Sequence, residues 1–126
     1  MPFVKIHLRR GKSDEYRRAV ADAVHEALVA QANVPAADRF QLVLEHDGAA
    51  IIADPTYGGV SRSDDLILIE ITLNAGRTVE VKKNLYADIA ARLEKSADVR
   101  PDDVVINLVE VTKENWSFGK GKATYA

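Results

Sequence analysis

Three residues far apart in this 126-residue chain, Pro2, Asp38 and Arg77, could together supply a general base and a carboxylate-binding group. Pro2 follows the initiator methionine and is small enough for that methionine to be removed, so the mature chain could begin with a secondary amine. Unperturbed α-amino groups titrate at about 7.7–8.0, and modest desolvation or a nearby cation would bring one to where a general base works. The alternative reading makes Pro2 a strand opener, since the first residue of a strand accepts proline. Arg77 stands directly before Thr78, a candidate helix N-cap. A guanidinium beside free helix N–H groups favours a carboxylate through both the helix dipole and bidentate donation. Asp38 either assists at such a site or simply orders a turn through its backbone hydrogen bonds.

Residues 2, 38 and 77 can cooperate only if the fold brings them to one edge. Residues 3 to 8 alternate, with Val4, Ile6 and Leu8 on one face and Phe3, Lys5 and His7 on the other, the period of a half-buried strand. Gly11 breaks it. From the N-cap Ser13, Tyr16, Val20, Ala23, Val24, Ala27 and Leu28 recur at helical spacing, and Asn33-Val34-Pro35 closes that helix. Phe40 to Glu45 reads as a second strand. The order then returns: a strand over 66–73, a helix capped by Thr78 and carrying Val81, Leu85, Ile89 and Leu93, and a strand over 103–111.

An offset of 65 residues pairs Leu8 with Leu73, Gly11 with Gly76, Ser13 with Thr78, Arg17 with Lys82, Asp38 with Asp103, and Glu45 with Glu110, without a gap. The chain therefore reads as one domain, 1–126, with repeats at 2–46 and 67–111 and a tail at 112–126. Each repeat is a βαβ unit with parallel strands and a right-handed crossover. If the two pair about a pseudo-two-fold axis, the fold class is α/β, of the two-layer α+β kind: a four-stranded mixed sheet with two helices on one face. Pro2, Asp38 and Arg77 then share an edge. At the opposite edge the offset places Ile67, Asp103 and Lys12, which lack a base, so one working site and one vestige are expected.

The rest of the composition narrows the class. With 47% hydrophobic and 29% charged residues the chain can bury the core of a single domain, and its net charge of −2 with mixed signs gives no face for nucleic acid or an anionic membrane. There is no cysteine, no signal peptide and no spanning apolar run, which reads as a cytoplasmic protein. His7, His25 and His46 share no ligand spacing, so no metal is expected; Arg9, Arg10 and Lys12 read as solvated or interfacial charges. The tail holds the only tryptophan, Trp116, near Phe118 and Tyr125. Such a segment must pack, either on its own core or on a neighbouring subunit, where its aromatics could wall off a site.

Pro2 on a strand, the duplicated unit, Val34-Pro35-Ala36-Ala37-Asp38-Arg39 and Asn115-Trp116-Ser117-Phe118-Gly119-Lys120-Gly121 together resemble the tautomerase superfamily over the whole chain. Within it, the resemblance is to the malonate semialdehyde decarboxylase-like members. It implies a homotrimer, no cofactor, and chemistry at the proline on a small carboxylate substrate. In the decarboxylase an aspartate matching Asp38 assists, two arginines hold the substrate carboxylate, and aromatics matching Trp116 and Phe118 line the pocket; Tyr125 is added here as a further wall residue. One of those arginines matches Arg77, but the other position is Ala75. The reading that follows is a tautomerase acting on a small 2-oxo or enol acid, with Pro2 as base. Alternatives are a decarboxylase or hydratase with Pro2 as general acid, and a non-catalytic oligomeric binding protein.

Overall fold

In a computed structural model that describes residues 1–125, the alternation of the first strand, β1 (Phe3–Arg9), buries Val4, Ile6 and Leu8 and leaves Phe3 and Lys5 exposed. Helix α1 (Asp14–Gln31) and strand β2 (Phe40–His46) complete the first unit; β3 (Ile67–Asn74), α2 (Val79–Ala97) and β4 (Val104–Val111) form the second. The sheet order is β2-β1-β3-β4, with β1 parallel to β2, β3 parallel to β4, and β1 antiparallel to β3. This is the two-layer mixed sheet the patterning implies. Both helices lie on one face, where Val20, Val24 and Leu28 of α1 meet Leu85, Ile89 and Leu93 of α2 over Ile6, Ile69 and Ile71. Burying each of these large apolar side chains stabilises the fold by roughly 1.5–3 kcal/mol.

Local bonds recur at the 65-residue offset. Ser13 accepts from Tyr16 N as Thr78 accepts from Val81 N, Val34 N donates to Leu28 O as Val99 N does to Leu93 O, and Asp38 N donates to Pro35 O as Asp103 N does to Arg100 O. Asn33 and Asp98 both take left-handed backbone after the helices, with φ of 57° and 54°. Short polar side chains adopt that conformation most readily after glycine. Replacing either hydroxyl cap by alanine orphans a helix N–H and is expected to cost about 1 kcal/mol, read as a lower urea midpoint with an unchanged slope.

No α-helix among the described residues packs on the other face of the sheet. Phe3, Phe40, Leu42 and Val109 are each more than a third exposed there. No helix among the described residues is long and apolar enough to cross a membrane.

Candidate active site

Pairing fixes the edge. Phe3 lies opposite Phe40 of β2 on one side and Thr72 of β3 on the other, so Pro2, which is buried, sits between the start of β2 and the end of β3. Asp38 is two residues ahead of β2. Its side chain is only 7% exposed, and its Oδ2 lies 3.5 Å from the amine of Met1. That oxygen accepts no hydrogen bond among the described residues. A buried carboxylate oxygen without a donor is unusual, and here it faces the start of the chain.

Asp103, its counterpart at the opposite edge, is fully engaged. Its carboxylate accepts from the backbone N and the hydroxyl of Ser63, both at 2.7 Å. Ser63 belongs to the segment that precedes β3. Lys12 at that edge pairs with Asp65 at 2.8 Å, a hydrogen bond that raises its pKa above the ordinary lysine value.

Arg77 lies at the Pro2 edge, but its guanidinium does not stay beside α2. Nε and Nη2 donate to Ala32 O at 3.1 and 2.8 Å, and Nη1 donates to Asn74 O at 3.0 Å. Ala32 caps α1, whose last carbonyls are the negative end of a helix dipole and attract a cation. Three of the five guanidinium N–H groups are thereby held, which fixes the plane and leaves two for a ligand.

The tail closes the edge with rings. Trp116 stacks on Phe118 at 5.4 Å between centroids and 12° between planes, and Phe118 stacks on Phe40 at 5.7 Å and 24°. Tyr125 meets Phe118 edge-on. Desolvation first, and then the charge of Asp38, push the Tyr125 phenol above its ordinary range. Neutralising that charge with Asp38→Asn should lower the pH at which Tyr125 ionises. Ultraviolet difference titration, with Tyr125→Phe to assign the signal, measures this; an unchanged titration would separate the two groups.

All six residues singled out from the sequence, Pro2, Asp38, Arg77, Trp116, Phe118 and Tyr125, thus lie at or beside one sheet edge. Two neighbours come only from the structure. Phe40 supports the ring stack, and Asn74 accepts from Trp116 Nε1 at 2.7 Å. Two groups of charges also differ from the sequence reading. His7 Nδ1 lies 2.8 Å from His46 Nε2, and His7 Nε2 lies 2.6 Å from Glu70, so two of the histidines form one hydrogen-bonded chain on the open face. Arg9 is a clamp, not a solvated charge: it donates to the carbonyls of Gly48, Ile51 and Asp64 and pins the segment between β2 and β3.

The head of β1 with its buried Pro2, the undonated Asp38 oxygen and the Arg77 guanidinium thus lie at one edge of a duplicated βαβ sheet. Two models of tautomerase enzymes match the chain, one over residues 38–119 and one over residues 2–59. The chain belongs to the tautomerase superfamily and is an enzyme of that class. It is 42% identical to the probable tautomerase YusQ of Bacillus subtilis (strain 168), covering 98% of this chain and 97% of that protein. The probable tautomerase YrdN of the same organism is 30% identical over 99% of this chain and 96% of its own length. Among solved structures, FG41 malonate semialdehyde decarboxylase inhibited by 3-bromopropiolate superposes with a TM-score of 0.92 at 41% identity, covering 98% of this chain and 93% of that one. A second malonate semialdehyde decarboxylase gives 0.90 at 34% identity, over 96% and 93%. A fused 4-OT, solved as a symmetric trimer, shares the fold with a TM-score of 0.77 at 24% identity, over 95% and 94%.

Proposed function

We propose that this protein is a cofactor-independent tautomerase of a small 2-oxo or enol carboxylic acid, with the amine of Pro2, freed by loss of Met1, as general base. The observation that carries the reading is the buried Asp38 oxygen, undonated and 3.5 Å from the amine at the chain start. Loss of Met1 turns the amide nitrogen of Pro2 into the new terminal amine. As a neutral base it takes the enol hydroxyl proton; the electron pair closes the C=O bond while the α-carbon gains a proton from the amine, which regenerates the base over the cycle. Asp38 stabilises the transient ammonium, and the two unused N–H groups of Arg77 hold the substrate carboxylate and the developing enolate charge. Trp116, Phe118 and Tyr125 line the pocket and exclude water from it.

The similarity to malonate semialdehyde decarboxylases supports a second reading, in which Pro2 stays protonated and polarises the carbonyl as a general acid while carbon dioxide leaves or water adds. Ala75 in place of a second arginine weighs against it, because a lost charge-assisted bond lowers binding or rate by roughly tenfold to a hundredfold. For assembly, the sheet face opposite α1 and α2, with its exposed Phe3, Leu42 and Val109, and the trimeric state of fused 4-OT support a homotrimer. A sedimentation mass equal to the monomer would sink that assembly.

The test of function starts with intact mass, to establish that Met1 is gone. The processed enzyme is then assayed for ketonisation of phenylenolpyruvate and for carbon dioxide release from malonate semialdehyde. Faster ketonisation than decarboxylation supports the base mechanism; the reverse order supports the acid one. Treatment with 3-bromopropiolate should add mass only to the peptide that begins with Pro2.

A further inference from the structure

One hydrogen bond and one ring stack, Phe118 on Phe40, hold the aromatic wall to the body of the protein. The other hydrogen bonds of the segment 112–125 are internal to it: Asn115 N to Thr112 O, Trp116 N to Lys113 O, Lys122 N to Gly119 O, and Phe118 N to Thr124 Oγ1. Among the described residues, the bond from Trp116 Nε1 to Asn74 Oδ1, at 2.7 Å, is the one hydrogen bond that ties this segment to the body of the protein. An indole N–H only donates, so the acceptor it meets fixes where the ring can sit. Asn74 ends β3, and its backbone carbonyl accepts from Arg77 Nη1 at 3.0 Å. The same residue therefore holds the first ring of the Trp116–Phe118–Phe40 stack through its side chain and the guanidinium through its main chain.

We infer that Asn74 is a positioning residue that registers the aromatic wall against the arginine. The inference rests on the tautomerase reading of this edge and adds a substrate class to it. A flat, conjugated enol acid can place its carboxylate at Arg77 and its π-system along Trp116, because those two groups are held at a fixed separation by one residue. A saturated acid of the same length gains the first contact but much less of the second.

Trp116 is the only tryptophan, so tryptophan emission comes from this ring alone. Methionine-free wild type, Asn74→Ala, Asn74→Asp, Trp116→Phe and the double variant Asn74→Ala/Trp116→Phe make the test. Without substrate, Asn74→Ala should shift the emission to longer wavelength and lower its anisotropy. Asn74→Asp keeps an acceptor oxygen and should restore both. Unchanged emission and anisotropy in Asn74→Ala would overturn the inference. With phenylenolpyruvate, Asn74→Ala should raise KM by about threefold to tenfold and lower kcat by less, the scale of one hydrogen bond. In the Trp116→Phe background the same substitution should add nothing further. If Asn74→Ala is equally damaging there, Asn74 acts without the tryptophan and the inference fails. If wild type shows no ketonisation at all, it is the tautomerase reading that fails, while the emission arm still decides the contact. Should Asn74→Ala not fold, Asn74→Ser gives the same comparison.

Discussion

Pro2→Ala, in a chain freed of Met1, is expected to slow the ketonisation of phenylenolpyruvate by two or more orders of magnitude, which is about 2.7 kcal/mol or more of barrier. The substitution leaves a terminal amine in place, but a primary and more mobile one. The proline nitrogen is held by its ring and by the burial of residue 2, so its lone pair keeps one direction. Alanine loses that constraint and the ring's contact with the pocket. The fold should be indifferent, because β1 takes its pairing from Phe3 onward. A matched urea transition therefore accompanies the lost rate. If the variant keeps the wild-type rate, the ring-held secondary amine of Pro2 is not required for the reaction, and Pro2 is only a strand opener.

Arg77→Ala should damage two properties at once. Stability falls by about 1–3 kcal/mol, since the carbonyls of Ala32 and Asn74 lose their guanidinium donors and Ala32 is buried. The specificity constant falls by roughly tenfold to a hundredfold, from the lost charge-assisted contact with the substrate carboxylate. Arg77→Lys should recover part of the charge but not the geometry, because one ammonium cannot span both carbonyls and also present two fixed donors outward. Denaturant melts and steady-state kinetics of both variants separate the effects. A loss of stability with an unchanged specificity constant would make Arg77 a strut between α1 and β3, with no part in substrate binding.

The strands and helices were legible because their signals are local. Period-two alternation in β1 and β3, hydroxyl caps at Ser13 and Thr78, and the Asn33-Val34-Pro35 stop of α1 need only neighbouring residues to act. The convergence of Pro2, Asp38 and Arg77 followed from topology, which the 65-residue offset made readable. What the sequence did not disclose depends on contacts between distant segments. The direction of the Arg77 side chain was masked by its position: adjacency to Thr78 suggests service to α2, whereas a long side chain reached the more negative end of α1. Asn74 and Phe40 carry no motif, and only the path of the tail across the sheet edge gives them a partner. The chain from His46 through His7 to Glu70 spans 39 and 63 residues of sequence, a meeting set by strand register.

Both ends of the chain converge on the same carboxylate: the Met1 amine approaches Asp38, and the charge of Asp38 is felt at the Tyr125 phenol. Handling the chain near Met1 or Tyr125 thus intrudes on the edge proposed as the active site. A permanent affinity tag at the front would keep residue 2 acylated, and one at the back would crowd the ring that meets Phe118. The turn around Tyr57 offers a gentler handle. Its backbone is folded on the Asp54 side chain through Thr56 N and Tyr57 N, and Tyr57 is 80% exposed. A reporter or purification epitope spliced in there would leave Pro2 and Tyr125 unobstructed, which makes this surface turn the practical point of entry for labelling the enzyme.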